Sequence, residues 1–210
     1  MTQRSEIFDR HYEAYCREIA AVDLAAIKER LDIQVRDNTA WIPFFNQTYQ
    51  VSGEGIFNDG NRKADYVTSV ILSKYILLCP DRLHLDKAWC TFRDFKRESH
   101  FTNANFFNTD TQGQIIKQFS GRLPELQTAC ERLGAVEDPL IQGYDLAYAV
   151  KSLPRLSLLL LMNDADEDFG ADCKVLFQKQ AEYYLDPESL AMTSALLARK
   201  LIDTDRNHGG

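Results

Sequence analysis

The chain has 210 residues and a net charge of −7, from 24 Lys and Arg against 31 Asp and Glu. This acidic balance argues against a nucleic-acid backbone or an anionic membrane surface as the main partner. The longest purely apolar run, Leu158 to Met162, is far shorter than the about 20 residues that a membrane span needs. The five cysteines are widely spaced without a C-x-x-C pair, and the N-terminus has no apolar signal region, so the sequence predicts reduced thiols and a cytoplasmic protein.

Helical periodicity opens the chain. Apolar residues recur at intervals of three and four from Phe8 to Val22, which is one face of an amphipathic helix. Asp23 is suited to cap a second short helix that ends near Leu31. Residues 1–31 are therefore predicted to form a helical lead-in to the domain.

Strand-forming residues dominate from Thr39 to Val51, with a turn predicted at Asn46. Pro43 cannot donate to a ladder, which predicts that its strand lies at a sheet edge. The glycines and the Asn-Asp-Gly step between residues 52 and 61 predict a loop. Asp65 is suited to cap the helix that follows.

The second half of the chain alternates helix and strand. A helical pattern covers residues 112–133 and is divided near Pro124. Two strands follow, Tyr144 to Val150 and Leu156 to Met162, and the second is apolar on both faces, which predicts a central position in a sheet. Asp186 is the predicted N-cap of the last helix. Together these elements predict a single α+β domain over residues 1–210, with a mixed or antiparallel sheet and helices packed on one face.

Acidic residues are dense after the second of these strands, at Asp164, Asp166, Glu167 and Asp168. Alternating carboxylates at a strand end are suited to hold Mg²⁺ or Ca²⁺, so Asp164, Asp166 and Asp168 are candidate metal ligands. The spacing is not that of an EF-hand, because Phe169 occupies the position of the invariant glycine. The alternative interpretation is a solvated turn.

The segment from Trp89 to Phe95 is a candidate ligand site. Arg93 is suited to bind a carboxylate or phosphate in bidentate fashion, and Trp89 and Asp94 lie beside it. The alternative is an ion pair that anchors a strand end. The three aromatic residues between Phe101 and Phe107 either extend this site as a pocket or belong to the core.

Other chemistry lacks a signature in this sequence. Cys79, His84, Cys90 and His100 are too loosely spaced for a structural zinc site. The glycines near residue 54 lack the third glycine of a dinucleotide-binding loop, and no G-x-S-x-G elbow occurs. The sequence therefore assigns no cofactor.

Six segments occur in order along the chain. They are Trp89-x-x-Phe92-Arg93-Asp94-Phe95, Gly143-x-Asp145-x-Ala147, Leu153-Pro154-Arg155, Asp166-Glu167-Asp168-Phe169, Leu176-Phe177 and Tyr184-Leu185-x-x-Glu188. Together they resemble the prokaryotic domain-of-unknown-function family 3786, from about the Trp41 strand to the last helix. Some relatives of this kind carry a cysteine-rich iron–sulfur segment, so the resemblance implies a link to anaerobic redox, corrinoid or one-carbon metabolism. The family has no assigned activity, and the chain departs from its pattern at Gly170 and Gln178.

Three functions remain open from the sequence. The first is a non-catalytic binding module for a small ligand, a metal cofactor or a protein partner, with Arg93, Asp94, Asp145 and Arg155 in the motif-like segments as candidate binding residues. The second is an enzyme with carboxylate or Mg²⁺-assisted acid–base chemistry at Asp145 and the acidic cluster. The third is a protein-interaction domain, which predicts a contiguous exposed apolar patch. The sequence assigns no oligomeric state.

Overall fold

The computed structural model describes residues 3–95 and 111–207. Within these residues the chain forms six α-helices and nine strands. The helices are α1 (Gln3–Ala20), α2 (Leu24–Leu31), α3 (Tyr66–Leu77), α4 (Gly113–Phe119), α5 (Leu123–Arg132) and α6 (Pro187–Arg206). The strands are β1 (Gln34–Arg36), β2 (Thr39–Phe44), β3 (Gln47–Ser52), β4 (Gly55–Asn58), β5 (Trp89–Cys90), β6 (Val136–Glu137), β7 (Leu146–Leu153), β8 (Leu156–Asn163) and β9 (Asp172–Gln178).

The strands form two antiparallel sheets, which confirms the predicted α+β class. One has the order β1-β2-β3-β4 and the other the order β5-β9-β8-β7-β6. The two predicted strand regions thus lie in different sheets. They meet where β2 packs on β7 and the N–H of Phe45, in the β2–β3 turn, donates to the carbonyl of Ser152 at 2.8 Å.

The position of β8 confirms the prediction from its double apolarity, because it is the middle strand of the five-stranded sheet. The predicted edge position of the Pro43 strand is wrong, since β2 lies between β1 and β3. Pro43 has no N–H to donate to a neighbouring strand, and the structure accommodates this without an edge position. β1 pairs with β2 only between Thr39 and Trp41, so no strand on that side requires an N–H from Pro43.

The loop predicted over residues 52–61 is also shorter than expected, because β4 forms within it. The backbone N–H of Ile56 donates to the Tyr12 hydroxyl at 2.8 Å, which ties β4 to α1. Gly55 has φ +149°, and a Cβ there would lie 2.6 Å from the Phe57 ring and 2.9 Å from the Tyr12 hydroxyl. A glycine is therefore required at this close approach.

The predicted helix starts are confirmed. Asp23, Asp65 and Asp186 each accept a hydrogen bond from the backbone N–H three residues later. The 112–133 pattern divides at residues 120–122, and Pro124 falls in the first turn of α5. These caps satisfy N–H groups that have no partner inside the helix.

Helices cover one face of the five-stranded sheet. α4 packs on β9, α5 packs on β7, and α6 packs on both helices and on α3. Their apolar side chains join those of both sheets in one core, with Phe119, Leu160, Phe177 and Leu197 at 0% exposure. No helix in the described part of the chain is long and apolar enough to cross a membrane.

Candidate functional site

The side of the five-stranded sheet that points away from α4 and α5, here called the outer face, is the main candidate site. Side chains alternate along a strand, so the odd-numbered residues of β8, and those of β7 as far as Lys151, point to this side. A register shift between Lys151 and Leu153 returns Leu153 to the core. The strand register then assigns the remaining positions. Leu159 lies opposite Leu176 of β9 and Ala149 of β7, Ala149 lies opposite Val136 of β6, and Trp89 of β5 lies opposite Gln178.

An apolar cluster occupies the centre of the outer face. Ala147, Leu159 and Leu161 are buried there, at 7%, 0% and 3% exposure. The partly buried residues that pack against them come from strands and from the β6–β7 loop, and they are Trp89, Ile141, Tyr144, Ala149 and Leu176. Val136, at 67% exposure, extends the apolar surface at β6, and Leu140, at 87% exposure, immediately precedes Ile141 of the cluster in the β6–β7 loop.

The two ends of the outer face differ in charge. At one end, Asp172 lies opposite Asn163, and Asp145 precedes β7 beside the acidic turn. At the other end, Lys151 lies opposite Ser157 and is exposed. The apolar cluster lies between the acidic end and the Lys151 end.

Lys174 crosses the acidic half of the outer face. Its ammonium donates to the Tyr144 hydroxyl at 3.1 Å and lies 3.8 Å from an Asp172 carboxylate oxygen. The hydrogen bond with Tyr144, followed by the charge interaction with that group, raises the pKa of Lys174. The lysine therefore stays charged and holds the Tyr144 ring over the cluster.

The acidic turn between β8 and β9 is organised by its own carboxylates. Asp145 Oδ2 accepts the N–H of Asp164 at 2.9 Å, and Asp164 Oδ1 accepts the N–H groups of Gly121 and Ala165 at 2.7 and 2.8 Å. Asp166 Oδ1 accepts from the N–H groups of residues 168 and 169 at 2.9 and 2.7 Å. Three of the candidate carboxylates thus fix backbone in an Asx-type turn.

Within residues 3–95 and 111–207, no three His, Cys, Asp or Glu side chains converge closely enough to hold a metal ion. Asp164 and Asp166 use an oxygen each for backbone amides, and Asp168 is exposed. A cation at these residues stays a prediction.

Arg155 lies at the opposite end of the β7–β8 hairpin, and its side chain caps a helix. Its Nε and one terminal nitrogen donate to the carbonyls of Arg30 and Glu29 at 3.1 and 2.7 Å, in the last turn of α2. Its backbone N–H donates to the Tyr75 hydroxyl at 3.2 Å, and that hydroxyl donates to the carbonyl of Leu31 at 2.7 Å. A cation at the carbonyl end of a helix is stabilised by the helix dipole.

Arg93 and Asp94 lie on a 3₁₀ turn that follows β5, and both are exposed. Asp94 Oδ2 accepts from the hydroxyl and the backbone N–H of Thr91, each at 2.7 Å. These two hydrogen bonds lower the pKa of the Asp94 carboxyl. Their neighbour Phe95 turns inward against Phe177, so this segment is anchored on the core side of the sheet.

Two open clefts lie along α6. One, of about 450 Å³, includes Arg122, Arg132 and Asp205, and the other, of about 460 Å³, includes Arg199 and Arg206. In the first cleft Arg122 already binds Asp205 through two hydrogen bonds of 2.9 and 3.0 Å. That ion pair joins the start of α5 to the end of α6.

The family model described as "Domain of unknown function (DUF3786)" matches residues 23–200. The chain belongs to this family. No curated protein and no solved structure matches the chain. The DUF3786 match begins at the N-cap of α2 and leaves α1 outside it.

Most of the DUF3786 motif segments in this chain hold the sheet and its connections together. Leu153-Pro154-Arg155 ties the β7–β8 turn to α2, and Asp166–Phe169 forms the β8–β9 turn. The hydroxyl of Tyr184 accepts from the N–H of His84 and donates to its carbonyl, at 3.2 and 3.0 Å, which fixes the segment that leads into β5.

The structure does not bring the predicted binding residues into one cluster. Asp145 meets Asp164 at one end of the hairpin, and Arg155 lies at the other end, about 25 Å away by strand length. Trp89 is on the outer face, and the Phe101–Phe107 segment lies outside the described residues. Sequence reasoning missed Tyr144, Lys174 and Leu176 as surface residues, although the apolarity of β8 on both sides was a signal for an apolar outer face.

Proposed function

We propose that this DUF3786 chain is a non-catalytic binding module that docks a protein partner on the outer face of its five-stranded sheet. The observation that carries the proposal is the group of partly exposed apolar side chains that covers the buried Ala147, Leu159 and Leu161, and its members are Trp89, Ile141, Tyr144, Ala149 and Leu176. Large contiguous apolar surfaces on folded proteins mark interaction sites, whereas scattered apolar residues are ordinary.

The composition of the outer face supports a macromolecular partner. Trp89 and Tyr144 supply the residue types that most often anchor protein interfaces. Charged groups lie at the two ends, which is the arrangement of an apolar centre with a polar rim. A sheet face is also broad, and small molecules are more often bound in concave sites.

The enzyme alternative has less support from the same residues. Asp145, Asp164 and Asp166 accept backbone hydrogen bonds in a turn, which is a sufficient structural role. The hydrogen bonds at Asp94 and the ion pair at Asp205 lower the pKa of each carboxyl, whereas a general acid near neutral pH needs a raised one. Carboxylate catalysis, Mg²⁺ binding and a role in anaerobic redox or one-carbon metabolism stay predictions.

The test is site-specific cross-linking in the native host. A photoreactive amino acid replaces Val136 on the outer face, or Gln127, which is exposed on α5, as the matched control. We expect a discrete cross-linked product at position 136 and none at position 127. A second variant, Leu140→Asp, should remove that product at unchanged thermal stability, because Leu140 is 87% exposed. Equal cross-linking at both positions, or none at either, would contradict the proposal.

A further inference from the structure

We infer that the partner that fits this surface is a second copy of the same chain, bound face to face around a two-fold axis. This inference rests on the proposed function, because it names the occupant of the same outer face. It is carried by the distribution of charge and side-chain size along β7, β8 and β9.

The outer face is electrostatically polar along its strands. Asp145 and Asp172, with the acidic turn beside them, lie at one end, where Lys174 is 3.8 Å from Asp172, and Lys151 lies at the other end. A two-fold axis that runs parallel to the sheet and across its strands reverses strand direction while it turns one face toward the other. The acidic end of each copy then faces the Lys151 end of the other, twice in one dimer.

The register makes this pairing specific to β7. Because the axis crosses the strands, each strand of one copy lies over the same strand of the other. The axis passes between the row of Leu159 and the row of Leu161, so Asp145 of one copy lies near Lys151 of the second copy. An isologous interface of this kind uses one patch twice and is closed.

Side-chain size in the central rows also suits close packing. Ala147 and Ala149 meet each other across the axis, and small side chains let two sheets approach. Leu159 and Leu161 are buried beneath their neighbours, at 0% and 3% exposure, so the contact surface consists of the partly exposed side chains around them, such as Trp89, Tyr144 and Leu176. Sheets pack about 10 Å apart through such interdigitating faces, with their strands within about 30° of each other.

The size of the face sets the expected strength. β7, β8 and β9 present seven or eight residues each, whereas β5 and β6 present two each. With strands about 4.8 Å apart and a rise of about 3.3 Å per residue, the face offers roughly 430 Å² per copy and roughly 900 Å² in the dimer. That area is at the lower limit for a specific interface, so the expected dimer is weak and reversible.

The test is sedimentation of the purified full chain over a concentration range of about 5 to 500 µM. We expect a monomer–dimer equilibrium in the wild type. Val136→Asp should weaken it at least about tenfold, since it places two carboxylates in the apolar margin. Ile7→Asp on α1, which is 40% exposed, is the matched control and should leave the equilibrium unchanged.

Charge reversal tests the orientation. Lys151→Asp should weaken the dimer about tenfold more than Lys117→Asp on α4, although both variants change the net charge equally. Lys151→Thr should weaken the dimer by an amount between the effects of these two variants. If Lys151→Asp leaves the dissociation constant of the dimer unchanged, the proposed two-fold arrangement is wrong.

The outcomes also separate this inference from the proposed function. A wild-type chain that is monomeric up to the highest concentration overturns the self-association. If position 136 still cross-links another protein in that case, the outer face is a docking site for a different partner. A dimer that is indifferent to Val136→Asp, with no cross-link at position 136, contradicts both.

Discussion

Replacing Arg155 separates a helix-capping role from a ligand-binding role. Arg155→Ala removes two hydrogen bonds from a charged donor to the carbonyls of Glu29 and Arg30, at the end of α2. A hydrogen bond to a charged group contributes about 1.5–3 kcal/mol when it is well buried. The Arg155 side chain is half-buried, and water can replace part of the interaction. We therefore expect about 1 kcal/mol for each bond, or about 2 kcal/mol in total.

This loss corresponds to a fall in melting temperature of about 4–8 °C for a chain of this size. The assay is urea unfolding followed by the fluorescence of Trp41 and Trp89, and Arg93→Ala is the matched control. Arg93 is exposed and makes no ion pair or hydrogen bond with the described residues, so its removal should change the free energy of unfolding by less than about 0.5 kcal/mol. If the Arg155→Ala variant is as stable as the wild type, the capping assignment is wrong and the Arg155 guanidinium is free for a ligand.

Three further predictions concern stability and reactivity. Gly55→Ala should destabilise by about 2 kcal/mol or more in urea unfolding, because its Cβ would lie 2.6 Å from the Phe57 ring and 2.9 Å from the Tyr12 hydroxyl of α1. A neutral result would contradict the close approach of β4 to α1. The Arg122 hydrogen bonds lower the pKa of Asp205, so their stabilisation is present above about pH 4 and lost as pH falls through the lowered pKa. Asp205→Asn should flatten the acid limb of a stability–pH curve, and an unchanged limb would contradict this. Burial raises the pKa of Cys130 to about 12 and also raises that of Cys173. Iodoacetamide at pH 8 should therefore label both thiols only after unfolding. Rapid labelling of the native protein would contradict this, because it would show that the two thiols are accessible.

Local signals were sufficient to predict most of the elements. The caps at Asp23, Asp65 and Asp186 act on backbone N–H groups three residues away, so their chemistry is readable in sequence. The apolar run of β8 predicted its central position for a similar reason, since it concerns one strand and its two faces. The error at Pro43 arose because the strand that pairs with β2 stops short of that residue, and the length of a neighbouring strand is not encoded locally.

The role of Arg155 could not be predicted from its neighbours. Its two acceptors lie 125 and 126 residues earlier in the chain, and both are backbone carbonyls, which any residue type supplies. The sequence therefore shows an arginine in a sharp motif without showing what it binds. The same holds for Asp164, one of whose two donors is the backbone N–H of Gly121, 43 residues earlier in the chain. Charged residues in motif-like segments are consequently ambiguous between fold and function until the backbone is placed.

The outer face differs from these charged residues, because it carries more apolar side chains than the fold requires. An antiparallel sheet with helices on one side needs apolar residues only on that side, and its other side is usually polar. β8 instead carries Leu159 and Leu161 on the side away from the helices, between the Tyr144 and Leu176 margins. Partly exposed apolar margins contribute less to folding than core positions and increase the hazard of aggregation. An apolar surface with charged groups at its two ends has the pattern of a protein interface. The proposed function therefore rests on the outer face and not on Arg93 and Arg155 of the motif segments.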